Sequence, residues 1–197
     1  MNMLNKMKQG AVSIALIVVI AVLAILAIAG IGSYNSIVSA DQNVKTKLGN
    51  IDSALQRRAD LIPNLVNTVK GYTEHENEAI EKVTQARQNL LSASTIEEKA
   101  EANSELSSSL GRLLAIAEAY PDLKASQNFI QLQDELAGTE NRISTARDDY
   151  NAAVKNYNTK IKQFPGNIVA GFGGFTEAGY FEADEDAKDV PVVDFSK

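Results

Sequence analysis

From Ala11 to Ile31 the chain carries an unbroken apolar run without a single charge. At about 1.5 Å per residue, such a run is about 30 Å long as a helix, the thickness of a bilayer's hydrocarbon core. Its length decides between two readings. A cleaved signal peptide has an apolar core of roughly 7–15 residues. Ala27-Ile28-Ala29 offers a small-residue cleavage site, but the run is longer than that core. An uncleaved transmembrane helix over 11–32 is the expectation, with residues 1–10 as a short tail and the bilayer as its first partner. Lys6, Lys8 and the α-amine precede the run, and Lys45 and Lys47 follow it at a greater distance. The excess of nearby cationic groups on the N-terminal side favours a cytoplasmic N-terminus and places the rest of the chain on the extracytoplasmic side.

Beyond the anchor the apolar residues recur at helical spacing. Val44, Leu48, Ile51, Leu55, Ile62, Val66 and Val69 step by three, four or seven, one face of a helix and not of a strand. Pro63 lies inside this run and is expected to kink the helix or break it near Ile62, and Gly71 is its expected stop. Thr73 and Glu76 have the spacing of a capping box, opening a second helix through Ile80, Val83 and Leu90. Ser92-Ala93-Ser94 ends it. Thr95 and Glu98 form a second capping box for a third helix through Leu106, Leu110 and Leu113 to Tyr120, where Pro121 sets a boundary. The fourth helix runs from Phe129 through Leu136, Ile143, Tyr150 and Tyr157 to Phe164. The fold class is therefore all-α: a transmembrane helix followed by a long antiparallel four-helix bundle over 33–164, with two long outer helices and two shorter ones. Short connections make sequential helices antiparallel. Near the membrane, the first and last helices are expected to pair alone as a stalk. Residues 165–197 form a Gly/Phe-rich and then acidic tail. Its glycines disfavour a helix, so Phe164 to Gly179 reads as a mobile apolar loop at the membrane interface, and Glu182 to Asp189 as a solvated or disordered segment.

Several chemistries lack their residues. The net charge of −6 removes the basic face that nucleic acid requires. With no cysteine and one histidine, His75, the chain cannot assemble a thiolate site, a di-iron pair of Glu-x-x-His motifs or a zinc site. No catalytic, cofactor-binding or metal-binding residues are assigned. The polar residues that stand out are Arg57, Arg58 and Asp60. Arg58 falls close to the apolar phase of its helix, where an arginine either pairs with a carboxylate, Glu118 or Glu140 being the candidates, or extends its head to solvent over an apolar stem. A candidate partner surface lies at two corners, Gly71, Tyr72 and His75 at one and Tyr120 and Pro121 at the other.

Longer motifs carry a resemblance. Tyr34-Asn35-Ser36-Ile37-Val38, Arg57-Arg58-Ala59-Asp60-Leu61-Ile62-Pro63-Asn64, Val69-Lys70-Gly71-Tyr72, Glu118-Ala119-Tyr120-Pro121-Asp122-Leu123, Phe129-Ile130-Gln131-Leu132-Gln133, Thr139-Glu140-Asn141-Arg142-Ile143, Asp149-Tyr150-Asn151, Tyr157-Asn158, Phe164-Pro165 and Tyr180-Phe181-Glu182 follow one another in order. Together they resemble the LemA family of bacterial single-pass membrane proteins, over roughly residues 11–185. The resemblance implies an inner-membrane helical-bundle protein of the cell envelope and supplies no enzyme activity. Two roles follow as expectations: a self-assembling scaffold acting as a homo-oligomer, or an adaptor for another membrane protein such as a protease.

Overall fold

A computed structural model describes residues 3–73 and 75–182, with side chains from residue 16 onward; Glu74 and the acidic residues 183–189 lie outside the described residues. Six helices and no strand make up this part: α1 (Met3–Lys70), α2 (Asn77–Ser92), α3 (Ile96–Ala117), α4 (Pro121–Lys124), α5 (Gln127–Lys162) and α6 (Gly166–Gly173). The chain divides into two compact units, one of Met1–Asn43 with Lys155–Ala178 and one of Val44–Val154 with Gly179–Lys197.

The second unit is a four-helix arrangement. Lys47 pairs with Asp149 at 2.6 Å and Arg57 with Glu135 at 2.9 Å, so α1 and α5 run antiparallel. Lys99 reaches Asp52 at 2.6 Å and Arg58 reaches Asn103 at 2.7 Å, so α1 and α3 run parallel. Ile51, Ile62, Leu65, Val83, Leu106, Leu113 and Phe129 are among its most deeply buried residues, and they lie on the faces that the three/four spacing marks out. The capping box of α3 forms as its sequence requires: Thr95 Oγ1 accepts from the Glu98 amide, and the Glu98 carboxylate accepts from the Thr95 amide. Hydrogen bonds from the Ser94 amide, the Thr95 amide and the Ser94 hydroxyl hold the Glu98 carboxyl below its ordinary pKa.

Three local expectations are corrected. The Thr73 capping box does not form. Thr73 closes the turn that follows α1, with both its amide and its hydroxyl donating to the Val69 carbonyl at 3.1 Å, and α2 starts only at Asn77. The third helix stops at Ala117, three residues short of Tyr120, and Pro121 opens the separate single turn α4. Of the kink or break expected at Pro63, the break does not occur: α1 continues through it as one helix of 68 residues. A proline removes the amide that would bond the carbonyl four residues back, here that of Ala59. Arg87 of α2 replaces it, its Nε donating to the Ala59 carbonyl at 2.8 Å. Ala59 is fully buried, so water could not have served.

The first unit joins the N-terminal part of α1 to the C-terminal part of α5 and to α6. Ile37, Ala40, Tyr157, Ile161 and Ala170 are buried in it. Lys160 Nζ donates to Ser36 Oγ at 2.5 Å, and Tyr34 meets Phe175 edge to face at 5.8 Å. The stalk expected of two helices thus has a third member. α6 is the fourth correction, a helix where the glycine content argued against one. Intrinsic propensity is a weak prior that packing overrides. Pro165 precedes the first turn, Gly166 and Ala170 are buried, and Gly174 closes the end at φ 70°, with the Phe175 amide reaching back to the Ala170 carbonyl at 3.1 Å. Only glycine fits at 166: a Cβ there would stand 2.1 Å from the Lys160 carbonyl oxygen. Before this packing begins, the side chains of Leu16 to Ile31 are exposed on α1, a helix long and apolar enough to cross a membrane.

Candidate functional site

Arg58 is the centre of the polar interior of the second unit. Only 5% of it is exposed. Nη1 contacts the Glu140 carboxylate of α5 at 2.6 Å and donates to Asn103 Oδ1 of α3 at 2.7 Å. One side chain therefore joins three helices. Nε has no partner. Burial pushes the guanidinium below its ordinary pKa, and the Glu140 charge opposes that shift without cancelling it. The other residues of the sequence cluster are elsewhere engaged. Arg57 pairs with Glu135, Asp60 accepts from Gln56 at 2.8 Å, and Glu118 pairs with Lys124 at 2.5 Å. They are exposed members of solvent-facing pairs, which carry little stability. Of the two candidate carboxylates, the structure brings Glu140 to Arg58 and leaves Glu118 at the end of α3.

The two corners proposed as a partner surface meet. Tyr120 Oη donates to the Glu76 carboxylate at 2.7 Å, linking the approach to α4 with the approach to α2. Gly71, His75 and Pro121 are exposed around this bond, Tyr72 is exposed too, and Tyr120 is half-buried.

A second arrangement, which the spacing analysis did not single out as a site, involves the dipeptide Tyr-Asn, present at 150–151 and again at 157–158. In the first unit, Asn158 Nδ2 donates to the Ala178 carbonyl and the Ala178 amide donates back to Asn158 Oδ1, both at 2.9 Å; Tyr157 Oη donates to the Thr176 carbonyl at 2.8 Å. In the second unit, Asn151 makes the same two-way bond with Phe181, at 3.0 and 2.9 Å, and Tyr150 Oη donates to the Gly179 carbonyl at 2.9 Å. Each clamp thus grips extended backbone of the tail. The spacing is physically matched. Seven residues of helix rise about 10.5 Å, and three residues of extended chain cover roughly 10 Å. Phe181 is buried where the second clamp holds it. Burial, with the Glu97 charge added, pushes the Tyr150 hydroxyl above its ordinary pKa, so it remains a donor at neutral pH. The seven-residue repetition of Tyr-Asn was the available signal; its extended partner lies too far along the chain for spacing rules to find.

Replacing Asn158 with leucine is expected to remove both bonds to Ala178 while leaving helix content intact. Two hydrogen bonds of about 1 kcal/mol each imply a loss of amide protection at Ala178 of roughly tenfold or more in hydrogen exchange. Unchanged protection would show that the clamp does not hold the tail.

These features define a class: a helical protein with an N-terminal helix long and apolar enough to cross a membrane, a bundle bearing a buried arginine, and a tail bonded to its last long helix. The chain belongs to the LemA family, whose model matches residues 47–195. It is 29% identical to the protein LemA of Metamycoplasma hominis over 155 aligned residues, 78% of this chain and 71% of that protein. It is 27% identical to the magnetosome protein MamQ 2 of Paramagnetospirillum magneticum over 186 aligned residues, covering 81% and 68% of the two chains. The magnetosome protein MamQ of Magnetospirillum gryphiswaldense is 24% identical over 214 aligned residues, covering 95% and 78%. The magnetosome designation describes those relatives.

Proposed function

We propose that this LemA-family protein is a non-enzymatic scaffold that self-assembles at the bacterial inner membrane. One observation carries the reading. The buried polar residues among those described, Arg58, Asn103, Thr139 and Asn158, each bond to groups of the same chain. Arg58 and Asn103 tie helices together and Asn158 holds the tail, while Thr139 bonds its own helix; linking elements of one chain is what a structural element needs. The spanning part of α1 supports assembly: Ala21, Ala24 and Ala27 are exposed, and no atom approaches where side chains on Gly30 and Gly32 would stand. Small residues on one helix let a second helix approach closely within a bilayer. The charge balance around the span favours an extracytoplasmic bundle.

The joined corner around Tyr120 and Glu76 favours a second reading, an adaptor that presents this surface to another envelope protein such as a membrane protease. Exposed loops on a rigid scaffold are where such recognition concentrates. Purification of the full-length protein in mild detergent, followed by measurement of particle mass and composition, separates the two. Particles of many copies of this chain alone are the expected result. A stoichiometric second protein would replace the scaffold reading with the adaptor, and a bare monomer would overturn both.

A further inference from the structure

Three large apolar side chains stand out against solvent beyond the spanning run. Phe172 is 92% exposed, Phe164 75% and Ile168 51%, and no other large apolar residue described outside the run reaches these values. Ile168 and Phe172 are four residues apart and share one side of α6, and Phe164 stands exposed in the turn that leads into it. The other side of α6, at Gly166 and Ala170, is buried. Between Lys162 and Glu177 the chain has no charged residue. A soluble surface rarely concentrates apolar area in this way.

The position of α6 states what covers it. Gly166 lies beside Ser33, and Phe175, just past the closing turn of α6, rests against Tyr34. Ser33 and Tyr34 follow Ile31, the last residue of the apolar run, by less than one helical turn of about 5.4 Å. α6 is therefore held at the level where the spanning helix leaves the hydrocarbon core. Tyr34, half exposed there, is the type of residue that marks a headgroup boundary. Lys162, paired with Glu177 at 2.7 Å, and Lys160 flank the apolar side with polar groups.

We propose that α6 is a second membrane contact, an interfacial helix that inserts Phe164, Ile168 and Phe172 into the outer part of the bilayer beside the spanning helix. The inference rests on the reading of α1 as a membrane span. The occupant is lipid and not a second protein because α6 packs, within the same unit, against Ser33 and Tyr34, the residues that follow the exposed apolar run of α1. A face of this kind lies about 5–10 Å into the boundary between headgroups and acyl chains.

The chain has no tryptophan, so a single Phe172→Trp substitution supplies a lone reporter at a site too exposed to disturb packing. The full-length variant is reconstituted in phosphatidylcholine vesicles with and without bromine on the upper acyl carbons. Co-flotation that resists alkaline carbonate tests the span separately. The expected result is blue-shifted emission that brominated lipid lowers at least about twofold, since the insertion depth puts the ring beside those carbons. Phe164→Trp should behave alike. Water-like emission, quenched by iodide and insensitive to bromine, would overturn the proposal while leaving the span intact. Blue-shifted emission insensitive to both quenchers would also overturn it, assigning the face to a second copy of the chain or another protein. Failure to co-float would remove the span and the proposal together.

Discussion

Glu140→Ala should cost the bundle about 2–3 kcal/mol, read as a lower denaturant midpoint for the full-length protein in detergent, whereas Arg58→Met should change it by no more than about 1 kcal/mol. The asymmetry follows from burial. Arg58 is almost wholly enclosed, while the side chain of Glu140 is 50% exposed. Removing Glu140 strands a guanidinium whose Nε already lacks a partner, leaving Asn103 as its acceptor. Removing a partner from a buried pair typically costs about 3–5 kcal/mol; the remaining bond to Asn103 and the solvent around Glu140 reduce that figure here. Removing Arg58 instead leaves a carboxylate that water can reach, and methionine fills the volume. Equal losses of about 2–3 kcal/mol from the two substitutions would mean that the pair itself is net stabilising, and would overturn the asymmetry.

Arg87→Met should destabilise the chain by about 1–3 kcal/mol, the cost of a buried carbonyl left without a donor. The same substitution made in a Pro63→Ala background should cost far less, because residue 63 then regains an amide that can bond Ala59. The difference between the two losses, a coupling energy of about 1–2 kcal/mol, is the quantity to measure by denaturant unfolding of the four variants. Additive effects would show that Arg87 and the proline are independent and that the 2.8 Å contact does not compensate for the missing amide.

These two sites show how far the sequence could be read. Pro63 announced a vacated carbonyl, and from local rules a kink or a break followed. What prevents the break is an arginine 24 positions further along the chain, a pairing that exists only once α2 has packed against α1. Arg58 was legible for a different reason: a charge in the apolar phase of a helix must find a partner or reach water. Which carboxylate meets it depends on the register of α5. The capping box at Thr95 was legible because its determinants are three residues apart. That at Thr73 failed although its spacing is the same, since the Thr73 hydroxyl was taken by the turn it ends. α6 was hidden because its glycines disfavour a helix in isolation, and the contacts that stabilise it come from residues about 130 positions earlier in the chain.

The matched spacing of the two Tyr-Asn clamps limits how this chain can vary in length. Ala178 and Phe181 each turn both their amide and their carbonyl to α5. Losing or gaining one residue between them would bring another residue's amide and carbonyl to Asn151 and take the Phe181 ring from its buried position. On the helix, one residue added between Asn151 and Asn158 would rotate one clamp by about 100° away from the tail. Insertions and deletions are thus excluded from both stretches together, and a descendant of this sequence can change size only outside them.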